Sequence, residues 1–453
     1  MPVDPQAYRP AAPLLDLGSD FWDPVAAADF PETILRYRND RAAAEIGLDA
    51  LSDAEWIRHL GRFDPLPGTL PQPLALRYHG HQFRSYNPDI GDGRGFTFAQ
   101  MRDARGRLMD LGTKGSGQTP WSRFGDGRLT LKGGVREILA TEMLEALGVP
   151  TSRTLSLIET GEALERGDEP SPTRGAVMVR LSHGHVRIGT FQRLAYHRDE
   201  ANMRRLVDYV LRELYGEEPG EEPGLRLLDL VLDRTARLAA SYMAAGFVHG
   251  VLNSDNINVT GESFDYGPWR FAPSWDVTFT AAYFDHAGLY AFGRQPEAIY
   301  WDAMQLAASL RLVADGDPLV AMLETFGRRF QERIAHAMLW RLGLTSRGAE
   351  ADRALVQSLE RALRATEVEL HRLFHDAFAQ RLPDDYGEPW AEFRALAAAH
   401  APRKERGAYW QGEPCGMLID EVEAIWAPIA QADDWSRLHA KVAEARALGE
   451  ALA

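Results

Sequence analysis

Two short stretches decide how this chain folds: HGVLNSDN at residues 249–256 and DYG at residues 265–267. They follow a long amphipathic segment, Leu225 to Ala245, whose apolar spacing predicts a helix leading into the first stretch. Asn256 and Asp265 carry hard oxygen atoms of the kind that bind Mg²⁺ or Mn²⁺. We therefore predict a loop that carries chemistry at the end of a helix.

The two stretches follow, with one change, the catalytic loop of protein kinases. That loop reads H-R-D-x-x-x-x-N and precedes D-F-G; its Asp receives the substrate hydroxyl, and the Asn and second Asp hold magnesium. Aligning His249 with the loop histidine places Asn256 and Asp265 on the metal ligands, and Val251 on the catalytic Asp. An acid reappears at Asp255. The chain is predicted to bind ATP and to do something other than ordinary phosphorylation.

Upstream motifs supply the rest of a kinase-like nucleotide site in the expected order. GDGRG at residues 91–95 precedes an apolar run, as a glycine-rich phosphate loop precedes a strand. The strand-like segment 108–114 ends in Lys114, and the helix-like segment 135–144 carries Glu137. Kinases pair such a lysine and glutamate to hold the phosphates. Alone, each piece is more typical of an ordinary turn or a solvated surface ion pair; it is their order that favours the nucleotide site.

Six runs of sequence together resemble the selenoprotein O (SelO, YdiU) family. The resemblance extends from about Leu74 to Ser309, and the chain lacks the cysteine or selenocysteine tail of many relatives, so we expect the C-terminal third to be divergent. The runs are YHGHQF (78–83), GDGRG (91–95), KGSGQTP (114–120), SRFGDGR (122–128), GVPTSR (148–153) and HGVLNSDN (249–256).

The resemblance implies a pseudokinase that transfers AMP from ATP to hydroxyl side chains of proteins, with ATP inverted relative to kinases. Asp255 would be the base, and Asn256 and Asp265 would hold Mg²⁺ or Mn²⁺. A second metal ligand or a structural cap remains an alternative role for Asp255. Arginines can clamp the outer phosphates and stabilise the leaving pyrophosphate. The residues implied to contact the nucleotide are Gly91, Gly93, Arg94, Lys114, Glu137, Asp126, Gly127, Arg180, Arg187 and Asp265.

Three functions are compatible with these motifs. The first is AMP transfer to Ser, Thr or Tyr of target proteins, favoured by Val251 and by the resemblance. The second is an ATP-dependent phosphotransferase, and the third is a catalytically silent ATP-binding scaffold. A scaffold has no physical need for Lys114, Glu137, Asn256 and Asp265 together, which argues against the third.

The predicted fold class is α+β, a two-lobed protein-kinase-like (pseudokinase) fold. Residues 1–73 are predicted to be an irregular extension with a short helix at 53–60. Residues 74–195 form the sheet-containing N-lobe, in which strands at 155–158 and 175–179 accompany a helix ended by Gly148. Residues 196–453 form a mainly helical C-lobe, with helices at 304–313, 319–342 and 355–378.

Composition limits the remaining function classes. The 453 residues carry a net charge of −15 and a pI near 5.4, which argues against a nucleic-acid partner. No apolar run has membrane-spanning length, and residues 1–5 lack signal-peptide features. The single cysteine, Cys415, is expected to be inert and fits a reducing cytoplasm. The His79/His81 and His183/His185 pairs lack the further ligands that a zinc site needs.

Overall fold

The computed structural model describes residues 7–167, 169–380 and 382–453, so residues 1–5, on which the signal-peptide prediction rests, lie outside the described residues. The predicted short helix has the expected bounds, but residues 7–73 are not irregular, because they also contribute three strands. Each strand is short and flanked by loops rich in proline, which hides the period-2 pattern. The elements are β1 (Pro10–Ala11), β2 (Trp22–Pro24), β3 (Ile34–Arg38), α1 (Asp40–Ala44) and α2 (Asp53–Leu60).

The next part of the chain supplies the remaining strands of the large sheet and the helix that packs on it. The predicted strand 108–114 has the expected bounds, whereas those at 155–158 and 175–179 extend further in both directions. The elements are β4 (Leu74–Leu76), β5 (Gly80–Gln82), β6 (Ser85–Asn87), β7 (Thr97–Arg102), β8 (Leu108–Lys114), β9 (Leu129–Thr130), α3 (Leu131–Ala146), β10 (Arg153–Leu164) and β11 (Thr173–Ser182).

Within the described residues the main sheet has nine antiparallel strands in the order β2-β4-β7-β8-β11-β10-β3, with β1 on β7 and β9 on β11. Alternate side chains of β11 enter different cores, as the period of a strand requires. Val177 and Val179 pack with Trp56 of α2, while Met178 packs with Ile138 of α3. The sheet is therefore covered on both faces, and the N-terminal segment provides one of the covers.

Helix α3 is fixed at both ends by local chemistry. The Thr130 side chain accepts a hydrogen bond from the Gly133 N–H at 3.1 Å and caps the N-terminus. Gly148 follows the helix with φ of 74°, the left-handed conformation predicted for it. Between these ends, α3 places Glu137 in the interior, 2% exposed.

The rest of the chain is mainly helical. The predicted helix 319–342 is two helices, α8 (Gly316–Leu323) and α9 (Phe326–Arg341). The predicted helix 355–378 is also divided, because the chain leaves the helix after Ala365. Thr366 is extended there, and its hydroxyl donates to the Ala362 carbonyl at 2.7 Å. The elements are α4 (Ile188–Tyr196), α5 (Glu200–Tyr209), α6 (Pro223–Ala245), β12 (Phe247–His249), β13 (Trp269–Phe271), α7 (Gln295–Leu310), α8 (Gly316–Leu323), α9 (Phe326–Arg341), α10 (Ala349–Ala365), α11 (Leu370–Ala377), α12 (Ala391–Ala399), α13 (Ile419–Ala432) and α14 (Ser436–Leu452).

Two features fix where the predicted loop begins and what supports helix α3. Helix α6 stops at Gly246, in the left-handed conformation, and β12 follows at once, so the predicted loop begins where β12 ends. Helix α14 packs against α3, and the Arg446 guanidinium donates to both carboxylate oxygens of Glu142, at 2.7 and 2.8 Å. The last helix thus supports the one that carries Glu137.

Two expectations from composition can be compared with the structure. No helix among the described residues is both long and apolar enough to cross a bilayer. Cys415 is buried, and burial raises the pKa of its thiol to about 12, so it stays a neutral thiol as expected of an inert cysteine.

Candidate active site

A cleft of about 430 Å³ lies between the sheet and the loop that follows β12. Most of the predicted site residues line it together, although they come from distant parts of the chain. Glu137 and Asn256 do not line it directly; Glu137 pairs with Lys114, which does, and Asn256 follows Asp255 along the chain. The predicted residues that line the cleft are Gly91, Gly93, Arg94, Lys114, Asp126, Gly127, Arg180, Arg187, Asp255 and Asp265.

Lys114, the last residue of β8, forms two ion pairs, a buried one with Glu137 and a partly buried one with Asp265. Its ammonium group contacts Glu137 Oε1 and lies 2.6 Å from Asp265 Oδ1. The lysine side chain is only 4% exposed, so the two carboxylates fix its position. The predicted Lys114–Glu137 pair is therefore present, and Asp265 joins it.

Asp265 is partly buried, with 27% of its side chain exposed, and is held ionised. Burial alone would raise its pKa, but the positive charges of Lys114, Arg94 and Arg180 outweigh that effect and place the pKa well below its usual range. The backbone at Asp265 has φ of 61°, a conformation that is unusual for a residue with a side chain. Such a carboxylate can accept a cation at any physiological pH.

Asn256 presents the second oxygen of the predicted metal site. Its Nδ2 donates to the Val251 carbonyl at 3.1 Å, which assigns the amide nitrogen to the loop and leaves Oδ1 as an acceptor. With Asp265, it offers the hard oxygen donors that Mg²⁺ and Mn²⁺ prefer. The donor chemistry of this pair fits the predicted divalent ion.

Asp255 is a buried carboxyl, and one of its two oxygens accepts no hydrogen bond. It is 7% exposed, and its Oδ1 has no hydrogen-bond partner. Burial raises its pKa to about 6, against the opposing effect of Arg187. Its Oδ1 lies against Gly80, while the residue lines the cleft, where a carboxylate is suited to receiving a proton from a hydroxyl.

The β5–β6 hairpin, which contains most of the YHGHQF motif, holds the loop of Asp255 in place. The His81 N–H donates to Ser254 Oγ at 2.8 Å, and the Phe83 N–H donates to Asn253 Oδ1 at 2.9 Å. Gly80 lies directly against Asp255. This contact, not a phosphate or metal role, explains the glycine and was missed by sequence reasoning.

The histidines of the hairpin have protein partners, not metal. His79 Nδ1 lies 2.8 Å from Tyr86 Oη, and His81 Nδ1 lies 2.7 Å from Gln192 Nε2. In the part of the chain that the structure describes, no group of three His, Cys, Asp or Glu could hold a metal ion.

The two predicted arginines differ in how their charge is used. Arg187 donates to the Asp255 carbonyl at 3.0 Å and to Asp92 Oδ1 at 2.9 Å. It therefore joins the catalytic-type loop, residues 249–256, to the glycine loop, residues 91–95. Arg180 donates through Nε to His185 at 3.2 Å, and its Nη1 is buried without a partner. Arg187 Nε is also buried without a partner, so each arginine has a donor left for a ligand, although Arg187 already uses its two terminal nitrogens within the protein.

The glycine loop is packed against the insertion that follows β8, which sequence reasoning did not anticipate. A Cβ on Gly91 would lie 2.6 Å from the Trp121 ring, and one on Gly93 would lie 2.9 Å from the Trp121 carbonyl oxygen. The Trp121 Nε1–H donates to Asp23 at 2.9 Å and fixes the ring. These glycines are needed for close packing of the loop as well as for access to phosphate.

The predicted nucleotide contacts Asp126 and Gly127 lie at the outer side of the cleft. Gly127 has φ of 71°, and its Cα packs on the Gly117 backbone. The half-exposed Asp126 carboxylate pairs with Arg166 at 2.8 Å. Sequence reasoning missed Arg166, which lies in no motif. It also missed three other residues that line the cleft: Asp92, which lies in the glycine motif, and Tyr78 and His185, which do not.

Comparison with known proteins identifies relatives along most of the chain. A family model described as protein adenylyltransferase SelO matches residues 6–388. A protein from Synechocystis sp. named protein nucleotidyltransferase YdiU is 43% identical, covering 94% of this chain and 95% of its own.

Proteins of the same name from Gloeobacter violaceus and Aeromonas salmonicida are 46% and 37% identical, covering 94% and 86% of this chain and 92% and 78% of their own. The similarity therefore continues well beyond Ser309, the expected end of the resemblance. The chain belongs to the family described as protein adenylyltransferase SelO.

Proposed function

We propose that this protein transfers AMP from ATP to Ser, Thr or Tyr hydroxyl groups of target proteins and releases pyrophosphate. The observation that carries the proposal is the placement of Asp255. It is a buried carboxyl that lines the same cleft as the Lys114–Asp265 pair, while Val251 stands where a kinase has its base. The names of the relatives, nucleotidyltransferase and adenylyltransferase, support the same reaction.

The two-lobed, kinase-like organisation belongs to this proposal. The sheet and α3 provide the Lys114–Glu137 pair, and the mainly helical part provides the loop with Asp255, Asn256 and Asp265. We propose 74–195 as the N-lobe and 196–453 as the C-lobe. Residues 1–73 would be an extension that completes the sheet of the N-lobe.

In the proposed reaction the acceptor oxygen attacks the α-phosphorus of ATP. A bond forms between these two atoms, the bond from the α-phosphorus to the bridging oxygen breaks, and pyrophosphate leaves with the bonding electrons. Asp255 receives the hydroxyl proton. Arg180, which has an unpartnered donor, would bind the outer phosphates and stabilise the charge of the leaving group.

The remaining residues of the cleft would position the nucleotide. Lys114, oriented by Glu137, would contact a phosphate, and Arg94 at the glycine loop would contribute a second positive charge. Gly91 and Gly93 would bring backbone N–H groups close to the nucleotide, with Asp126 and Gly127 at its outer end. Arg187 would keep the glycine loop and the Asp255 loop together.

A divalent ion is part of the proposal. Asn256 and Asp265 would hold Mg²⁺ or Mn²⁺ through their side-chain oxygens, and the bound ion would neutralise phosphate charge. Their contacts with Val251 and Lys114 fix both side chains before any ion binds.

Incubation with ATP labelled separately on the α- and γ-phosphates tests the function. Label from the α-phosphate on protein, with release of pyrophosphate, is the expected result. Label from the γ-phosphate would mean phosphotransfer, and no label with retained ATP binding would mean a scaffold. Asp255→Ala is the matched control, because it removes the proposed base and leaves the lysine pair.

A further inference from the structure

Exposed aromatic side chains gather beside the Asp255 loop. Phe83, Tyr283 and Phe284 are 38%, 81% and 41% exposed, and we call these three residues the aromatic rim. The Phe83 and Tyr283 rings lie 5.8 and 5.1 Å from that of Phe284. Three of the six large hydrophobic side chains that are exposed in the described part of the chain are thus in one patch. Contiguous exposed apolar surface marks interaction sites.

The aromatic rim is fixed to the catalytic-type loop by hydrogen bonds. Asn253, two residues before Asp255, accepts from the Phe83 N–H at 2.9 Å and from the Tyr290 hydroxyl at 2.7 Å. Gln82, the neighbour of Phe83, lines the cleft. The rim therefore adjoins the mouth of the cleft on the side of the proposed base.

Local structure holds the rim residues in their exposed positions. Phe83 occupies the turn of the β5–β6 hairpin with φ of 49°. Asp285, directly after Phe284, is buried, and its carboxylate accepts the N–H groups of Leu289 and Tyr290, both at 2.8 Å. Because the backbone of this segment is already fixed, a partner that binds the aromatic side chains does not have to order it, and less conformational entropy is lost on binding.

Three charged side chains next to the rim are exposed or partly exposed: Arg84 and Arg294 both face Glu297, at 3.2 and 3.6 Å, so one positive charge is in excess among them. The further acid of the rim segment, Asp285, is buried and its oxygens accept backbone N–H groups, so it is not presented to a partner. Arg294 also donates to the Gly288 carbonyl at 3.2 Å and so lies against the rim segment. In a chain of net charge −15, this local excess favours an acidic partner segment.

We propose that the aromatic rim is the docking surface for the acceptor protein. It binds an apolar side chain near the acceptor Ser, Thr or Tyr, in a segment that also carries an acidic residue. An enzyme that modifies a polypeptide must cover the surface around its base with that polypeptide, and aromatic side chains are frequent anchors of such interfaces. The inference rests on the proposed function, because that function places the acceptor beside Asp255.

Peptides of defined sequence test the rim. A set with a central Thr, in which one flanking position at a time is varied, is offered to the wild-type protein and to the Tyr283→Ser/Phe284→Ser double variant. Val320→Ser is the matched control, since Val320 is 56% exposed on α8, outside the rim. Two readouts are taken: label transfer from α-labelled ATP, and binding of the fluorescein-labelled peptides by anisotropy without ATP.

Wild type and control are expected to prefer Leu or Phe over Ala near the Thr, and Glu over Lys beyond it. The double variant should lose this preference, with affinity for the apolar peptide about tenfold lower, or ~1.4 kcal/mol. Equal preference in the double variant, or none in wild type, would overturn the docking surface. Because the binding readout does not depend on which group is transferred, failure of the proposed function shows separately, as absence of α-label.

Discussion

The Cα atom of Gly80 faces the side chain of Asp255 so closely that a Cβ there would lie 2.8 Å from the Asp255 Cβ and 2.9 Å from its Oδ1. The loop cannot withdraw, because Ser254 and Asn253 accept backbone N–H groups of the same hairpin and Arg187 holds the Asp255 carbonyl. The backbone position of the proposed base is therefore set by the hairpin that packs on it.

Gly80→Ala should lower turnover strongly, because the new methyl group meets both the Cβ and Oδ1 of Asp255 and forces the whole side chain to shift. A displacement of about 1 Å at a reacting group costs roughly 10²-fold in rate. We expect ATP affinity to change by less than about twofold, as measured by calorimetry beside steady-state transfer. Gly327→Ala on α9 is the control, since a methyl group there meets no atom within 4 Å. Unchanged turnover in Gly80→Ala would contradict the positioning role.

Asp255→Asn should reduce turnover by roughly 10²–10⁴-fold, the usual contribution of a general base. The amide has the same shape but does not accept the proton. ATP and the divalent ion should still bind with near wild-type affinity, as followed by calorimetric titration. Loss of metal binding together with turnover would instead make Asp255 a ligand.

Asp265→Asn should abolish metal-dependent transfer and leave the fold intact. The substitution removes the charge that pairs with Lys114, while Asn tolerates the left-handed backbone found at this position. Transfer and the metal concentration at half-maximal rate are the measurements, with circular dichroism for the fold. Asp276→Asn, an exposed acid further along the chain, should behave as wild type. Full activity in Asp265→Asn with metal still required would refute the assignment.

Arg180→Lys should weaken ATP binding by about tenfold and leave AMP binding unchanged. The shorter, single-point cation cannot reproduce the fork-like guanidinium contact with the outer phosphates, which AMP lacks. Calorimetric titration with each nucleotide gives the comparison. An equal loss for ATP and AMP would place Arg180 at the nucleoside or α-phosphate instead.

Asp302→Asn should raise the free energy of unfolding more at pH 8 than at pH 5. Asp302 is fully buried on α7, and neither carboxyl oxygen has a partner. Burial, assisted by the charge of Asp255, raises its pKa well above the ordinary 3.8. The folded state therefore holds the proton more strongly, and wild-type stability falls with rising pH, by about 1.4 kcal/mol per unit, between 3.8 and the folded pKa.

Asparagine does not titrate, so the stability difference between the variant and wild type should grow across this range. Urea unfolding at the two pH values measures it, with Asp276→Asn as the control. A difference that is the same at both pH values would show that Asp302 is not held neutral by its burial.

Sequence reasoning predicted the parts of the site that carry local signals. Strand 108–114 ends in Lys114 as expected, because its apolar residues and the following glycines fix both its period and its end. The Lys114–Glu137 pair followed from the order of motifs. The residues that define these elements lie close together in the sequence and show a clear hydrophobic or motif pattern. Sequence reasoning is most reliable for such local signals.

The unpredicted parts depend on contacts between distant segments. The strands at 22–24 and 34–38 complete the sheet only through partners at residues 74–76 and 153–164, so their own few residues carry no clear pattern. The Arg166–Asp126 pair and the contact of Gly80 with Asp255 likewise join separate regions. No local propensity encodes them, and only the folded chain brings them together.

The contact of α14 with α3 sets an order of events during synthesis. Arg446 is translated long after Glu142, the residue that it binds on the helix of Glu137. A nascent chain still lacking α14 has the lysine, the glutamate and the loop of Asp255, and its α3 already packs on β10 and β11. It lacks only the outer support that α14 gives to α3, so the helix of Glu137 should reach its full rigidity after residues 436–452 have been translated and folded.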